Sequence, residues 1–362
     1  IEACRRIPAG SSVLFLPFNT SIVAELKSRH PNGVACSTFN SCGWGAWRRF
    51  TGKKMIPIDA NKTWKIIDEK FSDDNRFLYG AFVAKMVALA KSSGLRPNDP
   101  IEKWMDLQDH HAVLIDSKTS GEDPDYNLAF DLCRKTLEVS IQMAKATCDF
   151  DDQIYMPWLM NASFDLYDFV FVDECQDISG VQGELLGRML KKGGRLIAVG
   201  DSKQAIYGFR GADSNSFDKL KIAFSATELP LSISYRCARA IVTEAQAYVS
   251  HIESFENAPE GKVEHLDNYD INSFTPDDAI LCRNNAPLVE MAYAFISRSR
   301  GVNFLGRDIG GGLKSLIRNM EAKSLTELST KLQKWLDRES AKLVAKRQEE
   351  KIELLQDRVN CI

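Results

Sequence analysis

Two short apolar runs, each ending in an acid, limit this chain more than any other feature. One reads Phe-Val-Phe-Val-Asp-Glu-Cys-Gln-Asp over 169–177. The other reads Arg-Leu-Ile-Ala-Val-Gly-Asp-Ser-Lys-Gln-Ala-Ile-Tyr-Gly-Phe-Arg-Gly-Ala over 195–212, with an amphipathic segment between the two. An unbroken β-branched and aromatic run of this length fits a strand buried on both faces, the pattern of a parallel sheet covered by helices. Acids at its end then fall on the sheet's C-terminal edge, where open α/β folds bind ligands.

Adjacent carboxylates at such an edge suit a magnesium-bound triphosphate. Asp173 would hold Mg²⁺ directly or through water, and Glu174 would orient and deprotonate the water that attacks a γ-phosphate. An Asp-Glu pair alone is a short motif that arises often by chance. The second run adds Asp201 and then Gln204, a residue type that senses a phosphate or its attacking water. Tyr207, Phe209 and Arg210 follow and offer stacking surfaces for bases.

These boxes resemble motifs II and III of the UvrD/Rep type of superfamily 1 DNA helicases, in the family's order and at a similar spacing. The resemblance implies an α/β fold: a RecA-like P-loop NTPase motor domain with a parallel sheet, a helical inserted subdomain, and the start of a second RecA-like domain. It places the first motor domain at 1–51 and 161–249, the helical 1B-like insertion at 52–160, the second motor domain at 250–310 and a 2B-like insertion at 311–362. The cofactors implied are ATP and Mg²⁺, and the partner is single-stranded or partly duplex DNA. The family moves 3′ to 5′.

Further residues are assigned by the same resemblance. Phe18 matches the aromatic of motif Ia, with Asn19 and Thr20 on a strand-to-helix turn where N–H groups meet a phosphate. A Phe buried at a strand end is the structural alternative. Thr38-Phe39-Asn40-Ser41 is similar to the Thr-Phe-His-Ser motif, with Asn40 in place of the usual His. Tyr235 and Arg236 look like motif IV, the first stacking on adenine and the second reaching the γ-phosphate. Arg283 resembles part of motif IVa and either contacts a DNA phosphate or caps a loop. Trp44, Trp47, Arg48 and Arg49 are either a core face beside a solvated one or a DNA contact.

Periodicity predicts strands at 13–18, 34–38, 227–231, 261–265 and 279–282. It predicts helices at 21–29, 64–71, 77–91, 128–146, 287–298, 313–321, 324–338 and 340–357. The last of these carries charges whose usual explanation is a solvated face. His110 and His111 lack an acid or cysteine partner at metal spacing and read as structural.

A net charge of −3 over 362 residues excludes nucleic-acid binding by bulk electrostatics, so any DNA contact must be a local groove. Nine scattered cysteines give neither a zinc pattern nor a disulfide framework, which makes the reducing cytoplasm the default expectation. No apolar run reaches the ~18 residues of a membrane span. The Gly-x-x-x-x-Gly-Lys-Ser/Thr loop that cradles phosphates has no match here, nor do motifs V and VI. The expectation is therefore an internal fragment of a longer helicase. The rivals are the motor of a helicase-nuclease and a degenerate DNA-binding protein without hydrolysis.

Overall fold

The computed structural model describes residues 6–17, 33–115, 124–204, 216–303, 309–345 and 352–362. The chain separates into two compact units, Ile1–Ala226 and Thr227–Ile362.

The first unit is built on a parallel sheet of β1 (Val13–Leu16), β2 (Val34–Cys36), β3 (Tyr167–Val172) and β4 (Leu190–Ala198), in the order β2-β1-β3-β4. The fold class is thus the α/β arrangement that the apolar runs imply. Alternation along the strands sorts the side chains between faces. Leu14, Leu16, Val170 and Val172 enter the main hydrophobic core, while Val13 and Phe171 pack with Phe15, Phe169 and Ile197 on the other side. Phe15 and Phe171 stack with ring centroids 6.1 Å apart. Asp168 ties the start of β3 to both neighbours. Its carboxylate accepts from the backbone N–H and hydroxyl of Ser12, each at 2.7 Å, and pairs with Lys191 at 2.9 Å.

Between β2 and β3 lie α1 (Phe39–Thr51), α2 (Lys62–Lys70), α3 (Asp73–Ser93), α4 (Ile101–His110), α5 (Tyr126–Met143) and α6 (Asp152–Leu159). Helix ends follow the local chemistry. The Ser72 hydroxyl accepts from the Asn75 N–H at the start of α3, and Gly94, in the left-handed conformation, closes its end. α7 (Gly180–Met189) begins with a reciprocal Ser179–Gln182 capping box and joins β3 to β4, and α8 (Ser216–Ala223) follows the second acid-bearing turn. The helical stretch shares one continuous core with the sheet: Trp47, Met86, Trp104, Phe130 and Tyr155 belong to the same cluster as Leu14 and Val170.

Within that core lies a quartet of buried charges. Lys62 pairs with Asp152 at 2.5 Å and donates to the Ser140 carbonyl at 2.6 Å. Lys91 pairs with Asp149 at 2.6 Å and Asp152 at 2.8 Å. The aspartates also accept each other's backbone N–H groups, which fixes the turn before α6. Burial disfavours the ammonium of Lys91, but the two carboxylates outweigh it and raise its pKa above the ordinary value.

In the second unit β5 (Ile233–Ser234) pairs in parallel with β6 (Glu253–Ser254), accompanied by α9 (Arg239–Ala245), α10 (Asn285–Ser297), α11 (Ile309–Met320), α12 (Leu325–Ala345) and α13 (Ile352–Asn360). The strands expected at 227–231, 261–265 and 279–282 do not form. Leu229, Leu231 and Leu281 are exposed there, and apolar runs without hydrogen-bonding neighbours have no ladder to join. The helix expected to end at 338 runs on to Ala345, and α13 is not uniformly solvated. Asp357 is buried and accepts from the backbone N–H groups of Asn285 at 3.0 Å and Ala286 at 2.9 Å, capping α10 from another helix. No helix among the described residues is long and apolar enough to cross a membrane.

Two outcomes follow for stability. Lys91→Met leaves the two aspartates with one cation, and urea unfolding should show a loss of about 3–5 kcal/mol, whereas a loss under about 1 kcal/mol would remove the quartet as a structural element. Asp168, held down to about 2 by Lys191 and Ser12, stabilises the native state above the unfolded pKa near 3.9 and loses that effect as pH falls through about 2. The stability gap between wild type and Asp168→Asn should therefore be constant above about pH 5 and shrink toward pH 2. A gap independent of pH would contradict this.

Candidate functional site

The chain leaves β1 for β2 on one side and later returns to place β3 on the other, so the winding direction reverses between β1 and β3. Ligand crevices of open α/β sheets lie outside the strand C-termini at such a point. Asp173 is there: its N–H donates to the Leu16 carbonyl at 3.1 Å, carrying the β1–β3 ladder one residue beyond β3. Glu174 follows in the left-handed region, at φ 51 and ψ 46, a conformation that costs a residue with a Cβ about 1 kcal/mol. It breaks the strand and starts a single 3-10 turn over Cys175–Asp177.

Several contacts over-determine this bend. The Cys175 N–H donates to the Val199 carbonyl at 3.0 Å, and the buried Ser216 hydroxyl donates toward the carbonyls of Cys175 at 3.1 Å and Gln176 at 2.9 Å. The buried Gln176 side chain donates to the Glu174 carboxylate at 2.7 Å and accepts from the Asp201 N–H at 3.1 Å. Asp201 in turn accepts from the Lys203 N–H at 2.9 Å and the Gln204 side chain at 2.8 Å. Asp173, Glu174 and Gln204 are thus joined through one chain of hydrogen bonds. Gly200 allows the close approach, since a Cβ there would lie 2.5 Å from Gln176 Oε1 and 2.7 Å from Cys175 Sγ.

Asp173 is half-buried. Burial pushes its carboxyl pKa up, Glu174 alongside adds to this, and the hydrogen bond from the Glu174 N–H offsets part of it. Among the described residues no Lys, Arg or His forms an ion pair with either carboxylate. Among the described residues no group of three or more His, Cys, Asp or Glu could cage a metal either. Two adjacent, partly buried acids suit Mg²⁺ as it is held with a nucleotide, by one or two carboxylates while phosphate and water complete the shell. The donor set fits the ion.

The remaining sequence-predicted residues fall in varied places. Thr38 caps α1, its hydroxyl accepting from the Ser41 N–H at 3.2 Å. Phe39 is only 7% exposed and packs in the core, so it anchors α1 and presents no face to a base. Asn40 donates to the Phe150 carbonyl at 2.9 Å and to Gln153 at 3.0 Å. Trp47 is buried with its indole N–H on the Ala144 carbonyl, Arg48 donates to the Lys54 carbonyl, and Arg49 pairs with Asp165. That group is a core face beside a solvated one. In the second unit Tyr235 is exposed with its ring 4.9 Å from Phe255, Arg236 is exposed, and Arg283 lies 3.7 Å from Glu353. Phe18, Asn19, Tyr207, Phe209 and Arg210 lie outside the described residues.

The sequence pattern of the UvrD/REP helicase N-terminal domain matches residues 22–225, more than half of the chain. The chain belongs to the UvrD/Rep helicase family. Its similarity to individual members is distant. It is 26% identical to a probable DNA helicase II homolog of Mycoplasma capricolum over 309 residues, covering 79% of this chain and 41% of that protein. It is 23% identical to F-box DNA helicase protein 1 of Schizosaccharomyces pombe over 261 residues, 66% of this chain and 28% of that one. With the ATP-dependent DNA helicase Rep of Buchnera aphidicola the identity is 30% over 118 residues, 30% and 18% of the two chains. The chain spans less than half the length of each.

Within this UvrD/Rep-family chain, sequence reasoning passed over Gln176, Gly200 and Ser216. A glycine directly before the second acid was the available signal for a close approach. Ser216→Ala leaves two buried carbonyls without their donor and should lower unfolding stability by about 1–3 kcal/mol in urea titrations. An unchanged midpoint would mean that the hydroxyl does not hold the bend.

Proposed function

We propose that the complete protein is an ATP-dependent DNA translocase and helicase moving 3′ to 5′ on single strands. The observation that carries this reading is the placement of Asp173 and Glu174 at the switch point, linked by hydrogen bonds to the turn that bears Gln204. Family membership supports the same reading.

Asp173 would hold Mg²⁺, with Glu174 contributing through water. The ion, when bound, offsets the charge of the triphosphate and fixes its orientation. Glu174 orients a water and accepts its proton as the water oxygen attacks the γ-phosphorus, while the bond to the departing ADP oxygen breaks. Gln204 monitors the phosphate from the neighbouring turn. Tyr235 stacks on the adenine, and Arg236 supplies positive charge to the γ-phosphate. The four-part division into two motor domains and two helical insertions belongs to this reading. DNA contacts fall to Phe18, Asn19, Thr38, Tyr207, Phe209, Arg210 and Arg283. Phe39 is left out because it is buried.

Glu174→Gln in the complete protein should reduce DNA-stimulated ATP hydrolysis by at least about 100-fold while single-strand affinity stays within about two-fold. Equal turnover by mutant and wild type would reject the assignment of Glu174.

A further inference from the structure

We propose that Gln176 is a positioning residue, holding the Glu174 carboxylate in register with the turn that carries Gln204. This rests on the function proposed for Glu174. A carboxamide offers one acceptor and one donor group, and both are engaged here with different elements. Its Nε2 donates to Glu174 Oε2 at 2.7 Å, and its Oε1 accepts from the Asp201 N–H at 3.1 Å. Turning the amide over would set its oxygen against the carboxylate and its NH₂ against an N–H, two repulsive contacts, so the orientation is determined by the neighbours. The side chain is 3% exposed, which keeps water from substituting for either bond.

Two consequences follow. The hydrogen bond from Gln176 commits Oε2 of Glu174, leaving Oε1 to take the proton of a reacting water. The same side chain also transmits displacement. Asp201 holds the Lys203 N–H and the Gln204 side chain, so a shift of Gln204 toward a ligand moves the Asp201 N–H against Gln176 Oε1. Glu174 is then aligned only when that turn is seated. Gly200 presses on this contact, because any Cβ there must displace Gln176 Oε1.

The test compares wild type with Gln176→Leu, Gln176→Glu and Gly200→Ala in the complete protein, by the kcat and nucleotide KM of DNA-stimulated ATP hydrolysis together with thermal unfolding. Gln176→Leu removes both bonds. Gln176→Glu keeps an acceptor for Asp201 but sets a second carboxylate against Glu174. Gly200→Ala leaves the carboxamide and moves it. Each variant should lower kcat by about ten-fold or more with the nucleotide KM within about two-fold. Folded variants with kcat within about two-fold of wild type would overturn the positioning role while leaving the proposed function intact. Losses that merely follow the unfolded fraction would overturn it too. A wild-type protein that does not hydrolyse ATP would remove both readings.

Discussion

The ladder between β1 and β3 is the constraint on which the first unit depends. Parallel strands cannot be joined by a tight turn, so the chain must leave the sheet and return, and it does so on opposite sides of β1. The ladder continues past Val172 into the Asp173 N–H, so the first acid sits at the point of reversal rather than one strand away. A one-residue slip in this register would exchange the faces of Val170 and Phe171 and carry both acids off the edge. Asp168 works against such a slip at the other end, through its bonds to Ser12 and Lys191.

Past the ladder the chain must turn sharply enough to leave two carboxylates side by side. The left-handed Glu174 achieves this at a cost that its neighbours offset: Val199 takes the Cys175 N–H, Ser216 holds two carbonyls from beneath, and Gln176 bridges to the next turn. Strain of this sort persists only where surrounding contacts determine it, and it concentrates at working sites. The helical stretch between β2 and β3 packs on this sheet. Its core is continuous with that of the sheet, and its buried quartet fixes α2, α3 and the start of α6 with directional bonds. Asp173 carries the unfavourable remainder, a half-buried acid whose raised pKa a cation would reverse.

What could be read from the residues was whatever local composition determines. Strand β3, its terminal acids and the helical character of 62–159 follow from periodicity and from short apolar runs. The second unit was less legible because a strand is a property of pairs: the runs around Leu229 and Leu281 have strand composition but no partner ladder. Phe39 and Trp47 illustrate a related limit. An aromatic beside a polar stretch looks the same whether it faces solvent or core, and only the packing of α1 decides it. Gln176 and Asp357 were missed for the same reason, since the bonds that define them reach residues 25 and 72 positions away.

The central claim is that Asp173 and Glu174 hold a divalent cation together with a nucleotide, and replacing Mg²⁺ by paramagnetic Mn²⁺ tests it most directly. In the complete protein with a non-hydrolysable ATP analogue, NMR signals from residues 172–176 and 201–204 should broaden only when metal and nucleotide are both present, and Asp173→Ala should abolish the effect. Broadening centred elsewhere, or persisting unchanged in Asp173→Ala, would contradict it.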